Sequence, residues 1–124
     1  MPRFTLKILT DFAASHQLRD YPGECARLHG HNWKVEVEVS AGQLDQQGMV
    51  MDFKDIKRAT HEVIARLDHR HLNDCPPFDK INPTVENIAA HLFAEIGKIV
   101  SSETAHLSAI TIWETDRACV RYTE

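Results

Sequence analysis

Residues 31–41 read HNWKVEVEVSA, and this stretch decides the fold class because its polarity alternates with a period of two. The apolar side chains share one parity and the charged ones the other: Trp33, Val35, Val37 and Val39 against Lys34, Glu36 and Glu38. Such alternation is typical of a β-strand that has one covered face and one polar face. The stretch therefore predicts a half-buried strand.

The same pattern predicts three more strands. Residues 4–16 alternate, with Ile8 and Phe12 on the apolar parity, and predict a half-buried first strand. Two shorter segments near the end of the chain, residues 107–114 and 118–123, predict the last two strands.

Two helices are predicted between the second and third strands. Asp52 is a suitable N-cap for a helix over residues 53–67, and Thr84 can cap a second helix with one apolar stripe. Between them, residues 68–83 (DHRHLNDCPPFDKINP) are interrupted by prolines and are predicted to form a loop. The order β-β-α-α-β-β predicts an α+β fold, in which a four-stranded antiparallel sheet packs on two helices.

The composition sets limits on the class of protein. No linker, repeat or low-complexity tract divides residues 1–124, so we predict a single domain. A formal net charge of −4 does not favour binding to nucleic acid or to an anionic membrane. No apolar run reaches the length of a membrane span, and MPRFTLKILTDF lacks the regions of a signal peptide. Because three irregularly spaced cysteines suggest no disulfide framework, we expect a cytoplasmic protein.

The predicted sheet has two open edges. Strand edges with unpaired N–H and C=O groups attract further strands, and closing several sheets into a barrel removes this exposure. We therefore expect a homo-oligomer.

The histidines are concentrated near the predicted strand ends. In CARLHGHNW, residues 25–33, His29 and His31 are two positions apart, so an extended backbone directs both imidazoles to the same face. Both histidines lie on the apolar face of the predicted second strand, and His16 lies on the apolar face of the first strand. If the two strands pair in antiparallel fashion, all three imidazoles meet at one end of the covered face.

Two interpretations of these histidines remain open at this stage. Three neutral imidazoles with one vacant position are typical of a catalytic zinc site, whereas histidines at a strand end can also be hydrogen-bonded structural residues. Cys25 has three possible roles: a fourth zinc ligand, an inert buried thiol, or a nucleophile or base.

Two further segments contain candidate functional groups. In LDHRHLND, Asp68 precedes His69, and a carboxylate can orient an imidazole for proton transfer, although the segment can equally be a solvated polar loop. Glu114 shares the parity of Ile110 and Ile112, which predicts a carboxylate on a covered face. It is either a salt-bridged structural residue or an acceptor for a ligand that presents two adjacent N–H donors.

Five motifs occur in the order typical of one known family. They are a lone histidine ending the first strand, C-x-x-x-H-G-H-N, L-D-H-x-x-L-N, N-P-T-x-E-N and a late E-T. With this combination nearly the whole chain resembles the 6-pyruvoyl-tetrahydropterin synthase/QueD family. The resemblance implies the tunnelling fold, in which the β-β-α-α-β-β unit forms a trimeric barrel and two barrels stack into a hexamer. It also implies active sites between subunits.

The resemblance implies a role for each candidate residue. Zinc would be bound by His16, His29 and His31. Cys25 would be the catalytic base or thiolate, with Asp68 and His69 as its proton-transfer partners. Glu114 would anchor the pterin, and Thr84 and Glu86 would line the pterin pocket.

Within the family, the motif wording is most similar to the bacterial QueD branch. This similarity implies a zinc-dependent lyase of queuosine biosynthesis, which converts 7,8-dihydroneopterin triphosphate to 6-carboxy-5,6,7,8-tetrahydropterin, acetaldehyde and triphosphate. The alternative within the family is a 6-pyruvoyl-tetrahydropterin synthase, which eliminates triphosphate without cleaving the side chain. Outside it, the alternatives are a non-catalytic zinc-binding module, closed by Cys25 as fourth ligand, and a simple zinc hydrolase.

Overall fold

The computed structural model describes residues 2–124, apart from the side chain of Cys25. Its strands and α-helices are β1 (Phe4–His16), β2 (His29–Ala41), α1 (Phe53–Ile64), β3 (Arg70–His71), α2 (Val85–Ile99), β4 (His106–Thr115) and β5 (Ala118–Tyr122). The strands form one sheet in the order β3-β1-β2-β4-β5, with every neighbouring pair antiparallel except β1 and β3. The predicted α+β class is confirmed.

The sheet formed by the described residues contains five strands, so the prediction of four was wrong, as was the prediction that residues 68–83 form only loop. The fifth strand, β3, has two residues and pairs in parallel with Ala14 and Ser15. A two-residue strand is too short to show a period of two, and its position depends on a turn at His69, where φ is 60°. The first helix ends at Ile64 rather than at residue 67, and its C-cap is Ala65.

The helices cover one face of the sheet. The side chain of Asp52 accepts a hydrogen bond from the backbone N–H of Lys54, and Thr84 accepts one from that of Asn87, as expected for N-caps. The apolar face of the strands is buried beneath the helices, and the side chains of Trp33, Val35 and Val37 are inaccessible to solvent. Neither helix in the described part of the chain is long and apolar enough to span a membrane.

The opposite face of the sheet is polar and carries ion pairs. Arg121 donates to both carboxylate oxygens of Glu38 at 3.0 and 3.2 Å, and the indole N–H of Trp113 donates to Glu36 at 2.8 Å. These contacts satisfy charged groups on a face that neither of the two described α-helices covers.

The register of β1 and β2 positions the site. The two strands pair along their whole length, from Phe4 opposite Ala41 to His16 opposite His29. The last residue of β1 therefore lies directly across from the first residue of β2. This end of the sheet carries the conspicuous histidines.

Candidate metal centre and active site

Three imidazoles meet at this end of the sheet. The ring centroids of His16 and His29 lie 4.4 Å apart, and His31 lies 5.3 Å from His16 and 4.8 Å from His29. The Nε2 atoms of His16 and His29 are separated by only 2.8 Å. Pairing of two strands thus brings together residues that are 13 and 15 positions apart in sequence.

Backbone carbonyls orient two of these rings. The Nδ1 atom of His16 donates to the carbonyl of Pro83 at 2.8 Å, and that of His29 donates to the carbonyl of Arg27 at 2.7 Å. Because a carbonyl only accepts, each Nδ1 carries a proton, so the uncharged form of either ring would present an Nε2 lone pair to the other. Two lone pairs at this separation repel each other unless a proton or a cation lies between them.

The third imidazole also has an unsatisfied nitrogen. The Nε2 atom of His31 is buried and, among the described residues, makes no hydrogen bond of good geometry, although a Glu114 carboxylate oxygen lies 3.2 Å away. Burial lowers the pKa of His16 and of His31, and the neighbouring His29 lowers both further, and together these effects outweigh the opposing effect of Glu114. The neutral, metal-binding form of these rings is therefore favoured at neutral pH.

Glu114 completes the cluster. Its Oε1 atom lies 3.2 Å from Nε2 of His31 and 3.8 Å from Nε2 of His16. One candidate ligand atom from each of these four residues, including His29, lies within 4.8 Å of the others. Three imidazole nitrogens and one carboxylate oxygen are a donor set that suits zinc and related divalent ions, so the group could hold a metal ion.

The parity of Glu114 predicts its covered face but not its distance from the histidines. That distance depends on the register between β2 and β4, in which Lys34 lies opposite Trp113. A single sequence contains no direct signal for such a register.

Asp68 and His69 form a hydrogen-bonded pair at the outer edge of β1. The Oδ1 atom of Asp68 lies 2.9 Å from Nδ1 of His69 and accepts the backbone N–H of Ala13 at 2.9 Å. The Ala13 N–H, with His69 assisting, lowers the pKa of Asp68, so the carboxylate stays ionised and can orient the exposed imidazole. Among the described residues, no hydrogen bond or ion pair joins this pair to the histidine cluster.

An open cleft of about 540 Å³ lies between the histidine cluster and His69, and residues from both sides line it. His31 lies on one side, and His69 and His71 lie on the other. Ser15 contributes its hydroxyl, which is 3.0 Å from Nδ1 of His71. A ligand in this cleft can therefore contact both His31 of the cluster and His69 of the Asp68–His69 pair.

The remaining candidates have different surroundings. Thr84 caps α2 through its hydroxyl, while Glu86 is exposed in the first turn of that helix. The backbone of Cys25 belongs to a short 3-10 turn, Glu24–Ala26, but its side chain lies outside the described part of the chain. Sequence reasoning missed Pro83, whose carbonyl orients His16, although the N-P-T motif that contains it was recognised.

A mixed sheet backed by two helices, with a histidine–carboxylate cluster at one end, defines a candidate metal-dependent enzyme. Residues 5–124 match the family described as 6-pyruvoyl tetrahydropterin synthase. The chain belongs to the 6-pyruvoyl tetrahydropterin synthase family.

Individual relatives represent both branches of this family. A 6-carboxy-5,6,7,8-tetrahydropterin synthase of Synechocystis sp. is 36% identical over 116 residues, covering 90% of this chain and 86% of that protein. A 6-pyruvoyl tetrahydrobiopterin synthase of Poecilia reticulata is 40% identical over 126 residues, covering 90% and 84%. The structure of Caenorhabditis elegans 6-pyruvoyl tetrahydropterin synthase superposes with a TM-score of 0.89 at 29% identity, covering 100% of this chain and 97% of that one.

Proposed function

We propose that this chain is a zinc-dependent 6-carboxy-5,6,7,8-tetrahydropterin synthase of the queuosine route. It would convert 7,8-dihydroneopterin triphosphate and water to 6-carboxy-5,6,7,8-tetrahydropterin, acetaldehyde and triphosphate. The observation that carries the proposal is the convergence of His16, His29 and His31 in a member of this family. Relatives named for this activity, such as the Synechocystis protein, support the choice of product.

The proposed roles follow from the chemistry of each group. The three imidazoles would hold the metal ion, which supplies Lewis acidity toward oxygens of the substrate's side chain. The ionised carboxylate of Asp68 would orient the ring of His69 through Nδ1, and the exposed imidazole would accept and return protons. Cys25 would be the second proton-transfer group.

Glu114 would receive the amino edge of the pterin. A carboxylate accepts two parallel N–H donors of a planar ring, and Glu114 is half-buried, with its side chain about one-third exposed. Thr84 and Glu86, at the start of α2, would line the same pocket. Glu114 also lies close to the three histidines, so it could instead be a metal ligand. A comparison of metal affinity with pterin affinity separates these two roles.

We further propose that the protein is a homo-oligomer, a trimer or hexamer, with active sites between subunits. Among the described residues, β3 pairs only with Ala14 and Ser15, so most of the outer edge of β1 is free for another chain. Along that strand Phe4 and Leu9 remain 44% and 54% exposed. The Asp68–His69 pair lies on this same edge, where a neighbouring copy can contact it.

We also propose a cytoplasmic location. Cys75 and Cys119 are free thiols, and a reducing compartment keeps thiols in this form.

Product analysis tests the proposed reaction. The purified protein, loaded with zinc and given 7,8-dihydroneopterin triphosphate, should release triphosphate and acetaldehyde in equal amounts and leave 6-carboxy-5,6,7,8-tetrahydropterin. Mass spectrometry of the pterin and an enzymatic assay of acetaldehyde measure both products.

The Poecilia reticulata relative favours a second candidate, a 6-pyruvoyl tetrahydropterin synthase. An intact three-carbon side chain without acetaldehyde would establish that candidate, and the absence of any turnover would favour the non-catalytic zinc module.

The Glu114→Gln variant separates pterin anchoring from metal binding. We expect pterin affinity to fall about 5- to 150-fold, corresponding to about 1–3 kcal/mol for a mispaired buried contact, with one metal ion still bound. The amide replaces one acceptor oxygen with a donor that faces the ligand's own N–H groups. Titration of a pterin product analogue and metal analysis of the same sample give the two readouts. If metal content falls instead of pterin affinity, Glu114 is a metal ligand and the anchoring role is wrong.

A further inference from the structure

Two asparagine side chains bind the segment that follows His16. Asn82 accepts from the backbone N–H of Arg19 at 2.8 Å and donates to the carbonyl of Arg19 at 3.2 Å. Asn73 forms the same two-bond arrangement with Gln17, at 2.9 Å for each bond. Each side-chain amide thus accepts one backbone N–H and donates to one backbone C=O, as a paired strand would. The two asparagines satisfy the backbone of the segment that follows the last residue of β1.

The backbone of Asn82 is itself held by the start of α2. Its carbonyl accepts the N–H of Thr84 and the side-chain amide of Asn87, both at 2.8 Å. Asn82 therefore connects two segments that are more than 60 positions apart, and its neighbour Pro83 has no N–H with which to fix its own position.

The carbonyl of Pro83 determines which nitrogen of His16 faces the cluster. It accepts from Nδ1 of His16 at 2.8 Å, and that ring is almost completely buried, at 1% exposure. Groups that orient a metal-binding histidine through its second nitrogen commonly affect metal affinity about 10- to 100-fold. The peptide that carries this carbonyl is held by the hydrogen bond from the N–H of Thr84 to the carbonyl of Asn82.

We propose that Asn82 is a positioning residue for the metal centre, acting through the Pro83 carbonyl on His16. This inference rests on the proposed metal dependence of the chain. Asn82 holds the loop before α2 against Arg19, so that the carbonyl of Pro83 stays in line with Nδ1 of His16. Asn73 stabilises the neighbouring segment without a connection to Pro83, and is therefore a matched control.

The test compares metal binding in Asn82→Ala and Asn73→Ala. Zinc affinity is measured on the metal-free proteins by competition with a chromophoric chelator, and the visible spectrum of bound Co²⁺ reports ligand geometry. We expect Asn82→Ala to bind zinc at least about 10-fold more weakly, within the 10- to 100-fold range for loss of a direct partner of a ligating histidine, and to change the Co²⁺ spectrum. Asn73→Ala should lower the thermal stability while leaving zinc affinity within about threefold of the unsubstituted protein, because it leaves the His16–Pro83 contact in place.

A second pair of variants keeps the test decisive if an alanine variant does not fold. Asn82→Asp retains the acceptor for the Arg19 N–H but turns its other oxygen toward the carbonyl of Arg19, where the amide donated, so its zinc affinity should also fall below that of the unsubstituted protein. Asn73→Asp is its control. Equal losses of affinity at positions 73 and 82 would overturn the positioning role. Failure of the unsubstituted protein to bind zinc would instead contradict the proposed metal dependence, and the positioning role with it.

Discussion

Replacing His29 with alanine should remove most of the bound metal ion and nearly all catalytic activity. The variant would keep only two imidazoles and the Glu114 carboxylate, and a site that depends on three imidazoles loses much of its affinity with any one of them. We expect the same result for His16→Ala and His31→Ala. Metal analysis after dialysis and a zinc competition titration measure the loss.

Two control variants make this result specific. His106→Ala removes an exposed histidine at the start of β4, remote from the cluster in the sheet, and should retain the full metal content. Cys25→Ala should also retain the metal while losing activity, since the proposed site needs only the three histidines from the chain. If Cys25→Ala emptied the site, the thiol would be a fourth ligand and the non-catalytic zinc module would be favoured.

The second large effect is expected at His69. His69→Ala should lower kcat about 100- to 10,000-fold, the usual contribution of a general acid–base group, with metal content unchanged. His71→Ala is the matched control, because His71 lines the same cleft and contacts Ser15 but is not paired with Asp68. A His69→Ala variant that retains its rate would exclude proton transfer by this residue.

Mixing two inactive variants tests whether the active site lies between subunits. If His69 acts on the cluster of a neighbouring copy, an oligomer assembled from His69→Ala and His29→Ala chains contains some intact sites. Activity should then return on mixing after reversible dissociation, while either variant alone stays inactive. Continued inactivity of the mixed oligomer would indicate that both residues of one site come from the same chain.

The strands and the convergence of histidines were predictable from local patterns. Alternation with a period of two predicts both long strands, because the side chains of an extended backbone point to opposite faces in turn. Once those strands pair in antiparallel fashion, the shared parity of His16, His29 and His31 brings their rings to one end of the covered face. The N-caps at Asp52 and Thr84 were predictable for a similar reason, since capping involves only neighbouring residues.

The tertiary structure alone decided the contacts that refine the site. The two-residue strand β3 pairs with Ala14 and Ser15, and the N–H of His69 before it donates to the carbonyl of Ala13, a contact across more than 50 positions. The link from Asn82 to Arg19 and the approach of Glu114 to His31 likewise join segments remote in sequence. Periodicity reports only which face a side chain occupies, because it arises from local backbone geometry. The partner that each side chain meets depends on strand register and loop path, which are set by the packing of the whole chain.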